Sequence, residues 1–194
     1  MEDRLGILEV SDVHSTSDIS SVFRRIRSSF YSTGDVISQR ELAEQLSNAT
    51  ESQEVKDIYL RDMNSIFGRA LNKILDSRGY KEKTPDHYTY LDLPKEIIAA
   101  TITVSDGRTI LAYNQKHRDK LRNNDLFRMY INLHEHGHIR GEKSESKTEG
   151  LVKDSARYLS NLLSKVTGDV KELLKQSLNI EEYAKHRQAA QYGT

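Results

Sequence analysis

Apolar residues along this chain change their spacing twice, and each change marks a change of structure. Between residues 17 and 30, Ile19, Val22, Phe23, Ile26 and Phe30 recur at helical intervals behind Ser17 and Asp18, either of which can cap a helix start. The spacing predicts a first helix. In "SQRELAEQLSN", Ser38 and Glu41 stand as in a capping box and Leu42, Ala43 and Leu46 share one face, so a short second helix follows. The stripe Met63, Ile66, Phe67, Ala70, Leu71, Ile74 and Leu75 predicts one longer helix from about Glu54 to Ser77, ending at Gly79.

Beyond Gly79 the period shortens. "YKEK" and "HYTYLDL" flank a Thr-Pro-Asp turn, with Tyr88, Tyr90, Leu91 and Leu93 alternating as strands do, and "AATITV" and "RTILAYN" are β-branched runs around an Asp-Gly turn. Helical spacing then returns. "NNDLFRMYINLHEHGHI" reads as a helix capped by Asn124 or Asp125, with Leu126, Tyr130, Leu133 and Gly137 inward and Gly141 as its stop. Val152, Ala156, Leu159 and Leu163 predict another helix over about Lys147 to Lys165, and a last one near 168–177 precedes a polar tail.

These elements make an α+β protein. The two prolines, Pro85 and Pro94, mark a seam, which divides the chain into 1–94 and 95–194. Helix, short helix, longer helix and hairpin is the order of a winged helix-turn-helix, and "FGRALNKILDSRGYKEK…HYTYLDL" resembles its recognition helix and wing. Arg69, Lys73, Arg78, Lys81 and Lys83 fall on that segment, with Arg24, Arg25 and Arg27 as a second basic cluster, so DNA is a possible partner. Against a chain-wide polyanion binder stands the overall balance, 29 Lys and Arg to 29 Asp and Glu. No run of about 18 apolar residues exists to span a membrane and the start is acidic, so the expectation is a cytoplasmic protein.

The chemistry concentrates in "INLHEHGHIRGEKSESKTEG", residues 131–150. His134, Glu135 and His138 fit His-Glu-x-x-His, where histidines four apart on a helix lie one above the other and can grip one ion. Glu135 stands about 100° round the helix, beside such an ion, and can serve as a general base toward water. His136 sits about 200° round, on the opposite face, and is not a ligand. With no cysteine in the chain, any zinc must be held by histidine and carboxylate. The third ligand is open among several carboxylates. Glu142 on a continuing helix would be about 12 Å from His134, too far. Glu149 leads the apolar stripe of the next helix and comes first, although Ser146 and Glu149 also have capping-box spacing; Glu145, one turn earlier, is the alternative, and Asp154 lies off the stripe.

These residues resemble the zincin metallopeptidases, and the hairpin with "DGRTILAYN", the helix ending "LHEHGH" and the following Glu149, Val152, Ala156 and Leu159 resemble their compact ImmA/IrrE-type branch. The likeness covers roughly 97–165. It implies a zincin-like half with His134, His138 and Glu149 as zinc ligands, Glu135 as base, and the strand near Thr109–Tyr113 as the edge on which an extended peptide docks. The function expected is thus an intracellular zinc metallopeptidase acting on a regulatory or DNA-associated protein. The alternative is a winged-helix DNA-binding transcriptional regulator whose zincin-like half is structural or degenerate.

Overall fold

The computed structural model describes residues 7–10, 37–104, 106–163, 175–177 and 179–182. The chain is α+β. It runs β1 (Ile7–Val10), α1 (Gln39–Asn48), α2 (Gln53–Asn64), α3 (Ile66–Ser77), β2 (His87–Leu91), β3 (Ala99–Val104), β4 (Thr109–Asn114), a 3-10 turn, α4 (Arg118–Asn123), α5 (Asp125–Ile139) and α6 (Glu145–Leu163). The first helix expected, over 17–30, lies outside the described residues, as do Arg24, Arg25 and Arg27; so does most of the last, near 168–177.

The sheet has the order β1-β3-β4-β2. The β3–β4 hairpin forms antiparallel as its Asp-Gly turn implies, with Gly107 at φ +87°, whereas β2 joins β4 and β1 joins β3 in parallel. Two consequences correct the sequence reading. "YKEK" forms no strand, so among the described residues there is no wing hairpin; the strand from "HYTYL" finds its partner far along the chain instead. β4 is bonded on both sides, so it cannot be the open edge that receives a peptide.

Strand alternation sends successive side chains to two cores. Ile110 and Ala112 of β4, with Leu91, Ala100 and Ile102, meet Ile37 and Leu42 on one face. Leu111 and Tyr113, with Tyr88, meet α2, α3, α5 and α6 on the other, in one cluster running from Val55 through Leu71, Leu133 and Leu159 to Ile180. Because that cluster draws on both sides of Pro85 and Pro94, the prolines do not separate two cores.

The long helix expected over Glu54–Ser77 is two, α2 and α3. Ser65 ends the first and caps the second: its hydroxyl donates to the Asp62 carbonyl at 2.6 Å and accepts the Gly68 N–H at 3.3 Å. Gly68 permits the bend, since a Cβ there would stand 2.3 Å from the Met63 carbonyl oxygen. Below the bend a buried polar group fixes α5. Arg128 pairs with Asp62 at 3.1 Å, Asn132 donates to the same carboxylate at 2.8 Å, and the Tyr113 hydroxyl donates to Asn132. This ties α2, β4 and α5 together one helical turn ahead of His136. Among the described residues, no helix is long and apolar enough to cross a membrane.

Candidate metal centre

α5 begins where Asn124 accepts the Phe127 N–H at 3.0 Å and ends where Gly141, at φ +108°, lets the Glu142 N–H reach back to the Gly137 carbonyl. All of its residues from Tyr130 to Ile139 are buried, so each face of the helix meets a different part of the fold. That is how three neighbouring polar residues acquire three environments.

His134 and His138 face α6. Their Nε2 atoms lie 3.1 Å apart and converge on the Glu145 carboxylate, at 2.9 Å from His134 and 3.1 Å from His138. The three residues are 1, 3 and 2 % exposed and form a group that can hold a metal ion. Ligands at about 2.0–2.1 Å from a tetrahedral ion are themselves about 3.3 Å apart, close to the separations here. The other ring nitrogens are held from behind: His138 Nδ1–H donates to the Glu142 carbonyl at 2.7 Å, and His134 Nδ1 meets the Glu149 carboxylate at 3.1 Å. With a cation bound, protons on both Nδ1 atoms would leave the Nε2 lone pairs to it, and the groups behind the two rings suit that arrangement. Burial works to raise the Glu145 carboxyl, but the two imidazoles beside it outweigh burial and hold it down at about 2, as an anion.

The expected third ligand was Glu149; the geometry brings Glu145 to that position. The helix starts two residues earlier than its apolar stripe suggests, because Ser144 supplies the cap, accepting the Lys147 N–H at 3.4 Å, while the Thr148 N–H bonds the Ser144 carbonyl. Glu145 therefore sits in the first turn, opposite the Nε2 atoms, and Glu149 one turn on lies against the far side of His134. The Tyr130 hydroxyl donates to Glu149 at 2.6 Å. Tyr130 reads as core in the sequence; its place four residues before His134, on the same face, is the signal that was there. Close approach of α6 depends on Gly137, where a Cβ would stand 2.8 Å from Thr148 Cγ2.

Glu135 faces the sheet, as its offset from His134 implies. Its carboxylate accepts from the Thr101 hydroxyl on β3 at 2.8 Å. His136 turns to α2 and α3. Tyr59 donates to its Nδ1 at 2.6 Å, and its Nε2–H donates to Asn72 Oδ1 at 2.7 Å. Burial, with the Arg140 charge adding, pushes His136 down to about 3, so it is a neutral strut between helices.

The basic residues are dispersed. Arg78 pairs with Asp154 of α6, Lys73 lies 5.1 Å from the centre of the Tyr158 ring, and Lys83 reaches the Gly107 carbonyl; Arg69 and Lys81 are exposed. Asp154, the last of the ligand alternatives, is thus occupied elsewhere. The chain matches no protein-family model, no curated protein and no solved structure.

Proposed function

We propose that the protein is a zinc-dependent metallopeptidase, with His134, His138 and Glu145 holding the ion and Glu135 as general base. The observation that carries this reading is the convergence of two imidazole Nε2 atoms on a buried carboxylate, one residue from a second buried carboxylate on the same helix. Two imidazoles and one carboxylate suit zinc, and a zinc ion held by these three would have a fourth position to offer water or substrate. When bound, zinc supplies an electrophile that polarises a carbonyl and makes water acidic enough to lose a proton near neutral pH.

The residues of this chain do the rest. Glu149 and the Glu142 carbonyl orient the two imidazoles, so that little reorganisation accompanies metal entry. Glu135, held against the sheet, takes the proton from the attacking water and passes it to the leaving amine. The triad is enclosed. β3 borders α5, and its outer side is paired with the four-residue β1. An extended peptide approaching along β3 therefore meets β1 first, and not the central β4.

The test is cleavage of a mixture of unstructured peptides, read by mass spectrometry, by zinc-loaded full-length protein beside Glu135→Gln and His138→Ala. Cleavage by the wild type alone, with metal kept in Glu135→Gln and lost in His138→Ala, is the expected outcome. Equal cleavage by metal-loaded Glu135→Gln, or undiminished zinc in His138→Ala, would overturn the reading.

A further inference from the structure

β3 carries one residue whose side chain its surroundings do not explain. Ala100 and Ile102 point to the α1 side of the sheet and pack in the smaller core, so alternation turns Thr101 toward α5. Thr101 is 1 % exposed. A valine has the same shape and would fill this strand position without burying a hydroxyl. The hydroxyl has one evident use: it donates to Glu135 Oε2 at 2.8 Å and also lies 3.3 Å from the backbone carbonyl of the same residue.

We propose that Thr101 is a positioning residue for the Glu135 carboxylate: its hydroxyl donates to that carboxylate, the shorter of its two contacts with Glu135, pins Oε2 to β3, and leaves Oε1 to take a proton. This rests on the metallopeptidase reading above. The backbone of Thr101 is itself fixed on both sides, opposite Leu111 on β4 and Ile7 on β1, so the hydroxyl is carried by the most constrained part of the sheet. Among the described residues Thr101 is the hydrogen-bond donor to this carboxylate. Without it, this buried carboxylate would lose its tie to β3 and its side chain could turn elsewhere; with it, Oε2 is fixed against the sheet, on a residue next in sequence to His134.

The experiment compares Thr101→Val, Thr101→Ala and Thr101→Ser with wild type and Glu135→Gln, all full length. Cobalt(II) is the probe, since its visible spectrum reports the surroundings of the ion without turnover. Thr101→Val and Thr101→Ala should keep one metal per chain while their cobalt spectra depart from wild type. Thr101→Ser, which keeps the donor, should coincide with wild type. In peptide cleavage the two hydroxyl-less variants should lose about tenfold or more in kcat with KM little changed, a part of what a general base contributes. Thr101→Ala guards against failure of the bulkier apolar side chain to fold. Cobalt spectra of both variants superimposable on wild type would overturn the proposal. If wild type cleaves nothing, the peptidase reading fails, and the spectra still decide whether Thr101 governs Glu135.

Discussion

Exchanging the two carboxylates of α6 separates a ligand from its support. Glu145→Gln replaces one carboxylate oxygen by an amide group and removes the charge of a carboxylate whose Oε2 lies 2.9 Å from His134 Nε2 and whose Oε1 lies 3.1 Å from His138 Nε2. Structural zinc sites are worth about 10–16 kcal/mol over four ligands, so one ligand accounts for roughly 3–4 kcal/mol, or about 10²–10³ in affinity. Glu149→Gln keeps an oxygen for the Tyr130 hydroxyl and removes the charge that lies 3.1 Å from His134 Nδ1, on the far side of the ring. Outer partners of this kind cost about 10–100-fold. Competition for zinc against a chelator of known affinity, on protein purified without a histidine tag, should rank wild type above Glu149→Gln above Glu145→Gln. Melting curves of the metal-free proteins guard against loss of fold. A larger loss for Glu149→Gln than for Glu145→Gln would refute the assignment of the third ligand.

The packing of α5 on α6 gives a second outcome. Gly137→Ala sets a methyl 2.8 Å from Thr148 Cγ2, so it should cost about 1–3 kcal/mol of stability and weaken zinc binding, and Thr148→Ser, which deletes that methyl, should recover much of both in a melting and chelator assay. Proton linkage at His136 gives a third. Its ordinary value near 6.5 falls to about 3 in the folded chain, so the folded state resists a proton that the unfolded state accepts. Stability from this group is complete above about 6.5 and is lost as pH falls toward 3, a few kcal/mol at its limit. Urea midpoints should therefore fall more steeply with acid in wild type than in His136→Gln, and equal slopes would contradict the neutral strut. The buried pair gives a fourth: Arg128→Met leaves the Asp62 charge to Asn132 and the exposed Arg61 at 3.7 Å and should cost about 3–5 kcal/mol, measured by urea denaturation, with part recovered in Arg128→Met/Asp62→Asn.

What was legible in the sequence was whatever local periodicity determines. α5, its Gly141 stop, the β3–β4 hairpin and the opposed faces of His134 and His136 all follow from spacing within a few residues. The break at Ser65 was written in the sequence as a capping serine before "IFG", but the continuous apolar stripe across it hid the bend. The start of α6 was hidden in the same way, since Ser144 caps it ahead of the first stripe residue, and the choice between Glu145 and Glu149 turned on that two-residue shift. β2 was beyond local reading altogether. Its partner β4 lies some twenty residues on, and a hairpin with the nearer "YKEK" was the shorter connection, so only the shared core of α2, α3 and α6 reveals why the chain prefers the distant pairing. Thr101 left a faint trace, a hydroxyl in an apolar strand, whose meaning depends on which helix crosses it.

X-ray absorption at the zinc edge of the loaded wild-type chain tests the central claim most directly, because it reads the ion's own neighbours. About one zinc per chain, with two imidazole nitrogens at about 2.0–2.1 Å and oxygen neighbours at about 2.0–2.2 Å, is the expected result. Failure to retain zinc after loading, or a spectrum with one imidazole or none, would contradict a site built from His134, His138 and Glu145.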